Sequence, residues 1–230
     1  MRNQELLCGG ALDNWKDSGN LLTASFPESD NTWRGSGKDH VAGAPASISA
    51  FALAVYDPDD IWESRIFQSR PSPSSAHPEQ DVAVEPGYVM VGGGAWVDWT
   101  GEGNLLVASH PTPENKTTWH AQSKDHVKSS PARITAYAVG LKCKAEGVKL
   151  QSAIAIAKSN KSSRPQAAAA PPAGYKMVGG GAALTYDKAG MLLTASYPNE
   201  NNQWEGRGKD HLEGDNGIVT VYCIGLKVEA

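Results

Sequence analysis

Three apolar runs of one shape recur along the chain: Leu21-Leu22-Thr23-Ala24-Ser25, Leu105-Leu106-Val107-Ala108-Ser109 and Leu192-Leu193-Thr194-Ala195-Ser196. Read as strands, they put Leu22 and Ala24 of the first run on one face and Leu21, Thr23 and Ser25 on the other. Upstream of each stands a small-residue cluster: Cys8-Gly9-Gly10-Ala11, Gly92-Gly93-Gly94-Ala95 and Gly179-Gly180-Gly181-Ala182. Ala11 to Ser25, Ala95 to Ser109 and Ala182 to Ser196 are each fourteen residues apart through a variable polar turn. A fixed spacing across a variable turn predicts a β-hairpin, whose register would otherwise slip and turn its core face outward. Pro27, Pro111 and Pro198 follow two residues after the serines and are expected to end these strands.

The next stretch, at 28–32, 112–118 and 199–203, varies in length and composition, as an exposed tip does. Strict register then returns. Trp33, Trp119 and Trp204 each stand five residues before Lys38-Asp39-His40, Lys124-Asp125-His126 and Lys209-Asp210-His211. Eight residues after each histidine comes a β-branched residue (Ile48, Ile134, Val219), opening a closing strand at 48–55, 134–141 and 219–226. Phe51, Tyr137 and Tyr222 share one place on its face.

No stretch carries a helical period of useful length, so the expected class is all-β. Three copies imply three pseudo-threefold-related subdomains in one compact domain, each burying its apolar face against the other two. The repeats fall at 1–57, 86–143 and 173–230, with connectors at 58–85 and 144–172. Each connector has a short apolar strand candidate (62–67 and 148–156) and then a polar, proline-bearing stretch that reads as a surface linker.

A net charge of −4, from 21 basic and 25 acidic residues, gives no electrostatic case for nucleic acid or an anionic membrane surface. No apolar run approaches the roughly 18 residues of a membrane span, and the N-terminus has no signal-peptide core. The expectation is a soluble protein, secreted by a non-classical route or cytoplasmic until release. Cys8, Cys143 and Cys223 are odd in number and lack CxxC spacing, which argues against a disulfide framework or a thiolate zinc site. The glycine runs are not phosphate cradles, since neither a GK[ST] motif nor an amphipathic helix follows them. They mark places where strands must approach closely or bend.

In combination, the glycine cluster, the run from Leu192 to Pro198, Trp204, Lys209-Asp210-His211 and the close from Val221 to Lys227 resemble the β-tripod domain, a β-prism-like fold of three subdomains. The resemblance extends over essentially the whole chain. In some bacterial insecticidal toxins that domain lies C-terminal to a perforin-like pore-forming domain. The resemblance therefore implies a recognition module, with a cell-surface glycan or receptor as partner, no cofactor, and a pore-forming domain or partner polypeptide as a further associate.

Two readings attach to the Lys-Asp-His repeats. On an extended segment Lys38 and His40 project to one face and Asp39 to the other. In the first reading the aspartates hold the loop through backbone or Ser25, Ser109 and Ser196 hydrogen bonds, while lysine and histidine pair locally. In the second, Trp33, Lys38, Asp39 and His40, with Trp119, Lys124, Asp125 and His126 and with Trp204, Lys209, Asp210 and His211, form three equivalent ligand pockets. A tryptophan face beside an acid and a donor suits a sugar ring, and three weak sites gain avidity.

A metal held by one Asp and one His per copy would need all three tripeptides at the axis, and the exposed tip beside them argues for the periphery. A hydrolase is disfavoured, since no GxSxG elbow occurs and each serine follows a strand. Trp96 and Trp99 occur only in the second copy, flanking Asp98, with Trp15 in a related place in the first. They are either strand packing or the main ligand contact of a diverged copy. The expected function is non-enzymatic recognition, and the alternative is a structural or assembly protein whose repeats serve only the fold.

Overall fold

Sixteen strands and no helix make up the computed structural model, which describes residues 3–229. The outer bounds set for the first and third repeats, at 1 and 230, lie outside the described residues. In chain order the strands are β1 (Gln4–Asp13), β2 (Asn20–Ser29), β3 (Thr32–Asp39), β4 (Ile48–Tyr56), β5 (Trp62–Gln68), β6 (Glu79–Ala83), β7 (Val89–Asp98) and β8 (Leu105–Pro111). Then come β9 (Thr118–Lys124), β10 (Arg133–Cys143), β11 (Lys149–Lys158), β12 (Gln166–Ala169), β13 (Lys176–Tyr186), β14 (Met191–Pro198), β15 (Trp204–Asp210) and β16 (Gly217–Glu229). The prolines do not all end strands as expected. Pro27, Pro111 and Pro198 pair with Trp33, Trp119 and Trp204, and β2 runs on to Ser29.

The strands form three antiparallel sheets, ordered β12-β15-β14-β1-β4, β3-β2-β7-β10-β5 and β11-β16-β13-β8-β9-β6. No sheet belongs to one repeat. Each joins the middle hairpin of one repeat to the first and last strands of the next, through seams at Ser25↔Ala95, Ser109↔Ala182 and Ser196↔Ala11. The last seam closes the ring, so the three repeats form one compact domain around a pseudo-threefold axis.

The glycine clusters explain why this closure works. A Cβ on Gly92 or Gly179 would lie 2.5 or 2.9 Å from Cβ of Cys8, so only one repeat in three can place a side chain there. Gly9, Gly93 and Gly180 seat the tryptophan rings, since a Cβ on each would come within 2.4 Å of Trp33, Trp119 and Trp204. Cys8 and Cys223 are buried and free, and Cys143 is also free.

Simple alternation fails in the apolar runs. Register shifts between Leu22 and Ala24, Leu106 and Ala108, and Leu193 and Ala195 show a β-bulge in every copy. The bulge follows the two leucines of each run, which keep opposite faces, and both faces are buried: Leu22, Leu106 and Leu193 join the main core, and Leu21, Leu105 and Leu192 form a second cluster with Val107. The connector strands expected at 62–67 and 148–156 form as β5 and β11, while the polar stretches after them depart from the surface-linker reading by adding β6 and β12. All four strands sit on sheet edges, β5 on β10, β6 on β9, β11 on β16 and β12 on β15.

Candidate functional site

The Lys-Asp-His repeats converge at one end of the axis, where the sequence placed them at the periphery. His40, His126 and His211 are 1–2 % exposed, and their ring centroids lie 5.1 to 5.6 Å apart. In the first two repeats the lysine and histidine grip the same carbonyl in the next repeat's hairpin turn, and in the third the lysine alone does so. Lys38 Nζ donates to Glu102 O, which also lies 2.8 Å from His40 Nδ1. Lys124 Nζ donates to Ala189 O (2.5 Å), which lies 3.0 Å from His126 Nδ1. Lys209 Nζ donates to Ser18 O, completing the cycle.

Each ammonium also lies over an aromatic ring of that turn: Lys38 over Trp99 (4.8 Å), Lys124 over Tyr186 (3.7 Å) and Lys209 over Trp15 (4.3 Å). Burial pushes Lys124 and Lys209 down to about 8, against the nearby charges of Asp215 and Asp13. The aspartates point the other way and hold their own loops. Asp39 accepts from Ala44 N, Asp125 from Ser130 N (3.2 Å), and Asp210 from Gly214 N and Asp215 N (3.1 and 2.9 Å).

Val41, Val127 and Leu212, the residues after the histidines, all take positive φ (62°, 60° and 68°). Hydrogen bonds from Ala42 N to His40 O and from Lys128 N to His126 O make strained γ-turns of the first two. The turn aims the His126 carbonyl at Nε2 of His40. His126 Nε2 in turn lies 2.7 Å from His211 O and 3.0 Å from His211 Nδ1, while His211 Nε2 has no partner. Among the described residues no group of three or more His, Cys, Asp or Glu is arranged to hold a metal.

Trp33, Trp119 and Trp204 face inward, at 7 %, 1 % and 1 % exposure. Their indole N–H groups donate to Ser25, Ser109 and Ser196 Oγ at 2.9 to 3.0 Å, so the serines serve tryptophans, not aspartates. The space among these groups on the axis is about 20 Å³, room for one water and not for a sugar ring.

The open aromatic surface lies elsewhere, in a cleft of about 460 Å³ on the seam between repeats 1 and 2. Trp96 and Trp99 are its most exposed aromatics, at 40 % and 37 %. Phe26 stacks between Trp96 (6.2 Å) and Tyr137 (5.0 Å) to form its floor. Arg34 and Glu28, paired at 2.5 Å, and Thr23 and Ser36 supply polar groups at its wall. The other seams keep the stacked pair, Tyr197 on Phe51 (5.0 Å) and His110 on Tyr222 (4.5 Å), but place Leu12 and Ala183 where Trp96 stands. Phe26 was missed in the sequence because it is the variable residue between serine and proline. Its signal was an aromatic or imidazole ring at that place in every copy: Phe26, His110 and Tyr197.

No known family's profile matches the chain. Shufflon protein B' of Escherichia coli is 40% identical over 60 residues, a stretch covering 26% of this chain and 13% of that protein.

Proposed function

We propose that the chain is a non-enzymatic recognition module whose ligand is a cell-surface glycan or glycosylated receptor, taken up in the Trp96–Trp99 cleft. The observation that carries this reading is the pair of exposed indoles beside a Glu28–Arg34 pair on a rigid seam. A pyranose offers an apolar face that stacks on an indole and hydroxyls that bond to a carboxylate and a guanidinium. The resemblance to β-tripod domains adds the wider setting: the targeting part of a bacterial insecticidal, pore-forming type of toxin, acting with a pore-forming domain or partner polypeptide.

The Lys-Asp-His groups act on this reading as the scaffold, since the histidines are buried and, apart from His211 Nε2, the groups are bonded within the protein. A second reading, an assembly protein, draws on one observation, the uncovered sheet edges of repeat 1 described below.

Binding of the labelled protein to a broad glycan array tests the proposal. Trp96→Ala and Trp99→Ala are each expected to weaken a defined hit about tenfold, the loss of one stacking contact. The melting temperature should stay within about 3 °C of wild type for Trp96→Ala, because that residue is 40 % exposed and lies outside the core. Unchanged binding in both variants, or an array blank for wild type, would sink the assignment of this cleft to glycan.

A further inference from the structure

Three corners arise where the last strand of one sheet meets the outer strand of the next, and two of them are covered. At the β10/β9 corner the first connector adds β5 to β10 and β6 to β9. At the β16/β15 corner the second connector adds β11 to β16 and β12 to β15. At the corresponding corner of repeat 1, β4 and β3 end their sheets with nothing beyond them among the described residues.

The effect on burial is direct. Ala50 and Ala52 are exposed, while the residues at the same register positions, Ala136 and Ala138 in β10 and Val221 and Cys223 in β16, are all 0 % exposed. At the covered corners the connectors bond the backbone: Ser69 N donates to Ala136 O and Ile134 N to Ser72 Oγ, and Ser159 N donates to Val219 O and Val219 N to Ser159 Oγ. Those positions correspond to Ile48 and Ala50, whose outward peptide groups have no such partner. Moreover, β4 carries no charge, proline or inward-pointing polar guard, the devices by which edge strands ordinarily avoid pairing.

We infer that the β4/β3 corner takes a two-strand segment of the connector type from a partner polypeptide, by antiparallel strand addition. The two occupied corners define that partner's chemistry. Its first strand pairs with β4 and brings apolar residues to the core, as Ile66 and Phe67 of β5 and Ile154 and Ala155 of β11 do. A polar, proline-bearing turn follows, and a short second strand pairs with β3, as β6 and β12 do with β9 and β15. That second strand would bury Trp33 to the 1 % exposure of Trp119 and Trp204. In a second copy the connectors among the described residues are already paired, β5 and β6 at one corner and β11 and β12 at another. β3 also lines the Trp96–Trp99 cleft through Arg34 and Ser36, but β4 belongs to another sheet, so a readout on β4 is independent of the fate of the glycan reading.

The experiment is amide hydrogen exchange on the full chain, alone and with synthetic peptides of residues 57–85 and 144–172, using scrambled peptides as controls. The outward β4 amides, those not bonded to β1, are expected to exchange freely in the chain alone and to slow about tenfold or more with a connector peptide. Ala52→Lys, which guards the edge, should abolish that slowing without lowering the melting temperature. Three outcomes overturn the inference: outward β4 amides already protected in the monomer, protection of those amides that rises with protein concentration and so reports β4 pairing between copies, or no slowing with either peptide at about 1 mM.

Discussion

Trp119→Ala is expected to cost about 3–5 kcal/mol and to lower the melting temperature by roughly 10 °C or more. The ring is 1 % exposed and lies on Gly93, where a Cβ would come within 2.4 Å of it. Truncation therefore removes a large buried apolar surface and opens a cavity that the surrounding strands cannot close, because β9 is fixed by β8 on one side and β6 on the other. It also leaves Ser109 Oγ without the indole N–H that reaches it at 3.0 Å.

Trp119→Phe keeps most of the volume, and its loss should be limited to about 1–2 kcal/mol. Gly93→Ala attacks the same contact from the other side and is expected to be as damaging as the truncation, since its methyl would also meet Tyr137 O at 2.3 Å. Urea unfolding of the three variants measures all of this. A loss under about 1 kcal/mol for Trp119→Ala, with glycan binding abolished, would return the repeated tryptophans to the ligand site.

The repeats, hairpins and absence of helix were legible because they rest on spacing, and spacing is local. What could not be read was which strand pairs with which across the seams. The Ser25↔Ala95 seam joins residues far apart in sequence, and nothing in either segment distinguishes a partner in its own repeat from one in the next. The bulges were hidden for a related reason. Alternation assigns Leu21 and Leu22 to opposite faces, and only the closed ring supplies a second small core that buries both.

The axial convergence of Lys38-Asp39-His40 and its copies was misplaced because an exposed tip nearby was taken to fix the whole hairpin at the periphery. The tip, near Asn31, and the tripeptide are opposite ends of one strand, β3. The partners of the lysines had a signal in the spacing, since Trp15, Trp99 and Tyr186 each stand four residues after Ala11, Ala95 and Ala182, but which lysine each ring meets depends on pairing between repeats. Trp96 is confined to one copy, with Leu12 and Ala183 at its place in the others, and it and Trp99 are tryptophans left open where Trp33, Trp119 and Trp204 are closed.

Acid should loosen the axial end, and His211 should account for roughly 3 kcal/mol of the loss. Burial, and then the charges of His126, Lys209 and His40, pushes His211 down to about 4 from its ordinary 6.5, and burial lowers His126 as well. The unfolded chain takes up the proton near pH 6.5 and the folded chain only near pH 4. Between those values the unfolded state binds more protons, so stability is full above about pH 6.5 and declines as the pH falls toward 4. His110, stacked on Tyr222 at another seam and lowered to about 4 by its own burial, adds a loss of the same sign.

Asp13 opposes both. Burial raises it to about 6, and neither carboxylate oxygen has a hydrogen-bond partner, so protonation below pH 6 relieves a cost that the folded state carries at neutral pH. The net acid profile of the wild type is thus a difference of opposing effects, and the contribution of His211 must be read from a comparison. His211→Asn, unfolded in urea at pH 7.5 and at pH 4, is expected to lose about 3 kcal/mol less than wild type between the two conditions. Its penalty at pH 7.5 should be no more than about 1–2 kcal/mol, because the neutral ring makes one polar side-chain contact, with His126 Nε2, and leaves its own Nε2 unpaired. Parallel pH profiles for the two proteins, or an imidazole resonance of His211 titrating near 6.5 in the folded state, would show that the axis tolerates charge. The three rings would then be held apart by more than the lysine-gripped turns around them.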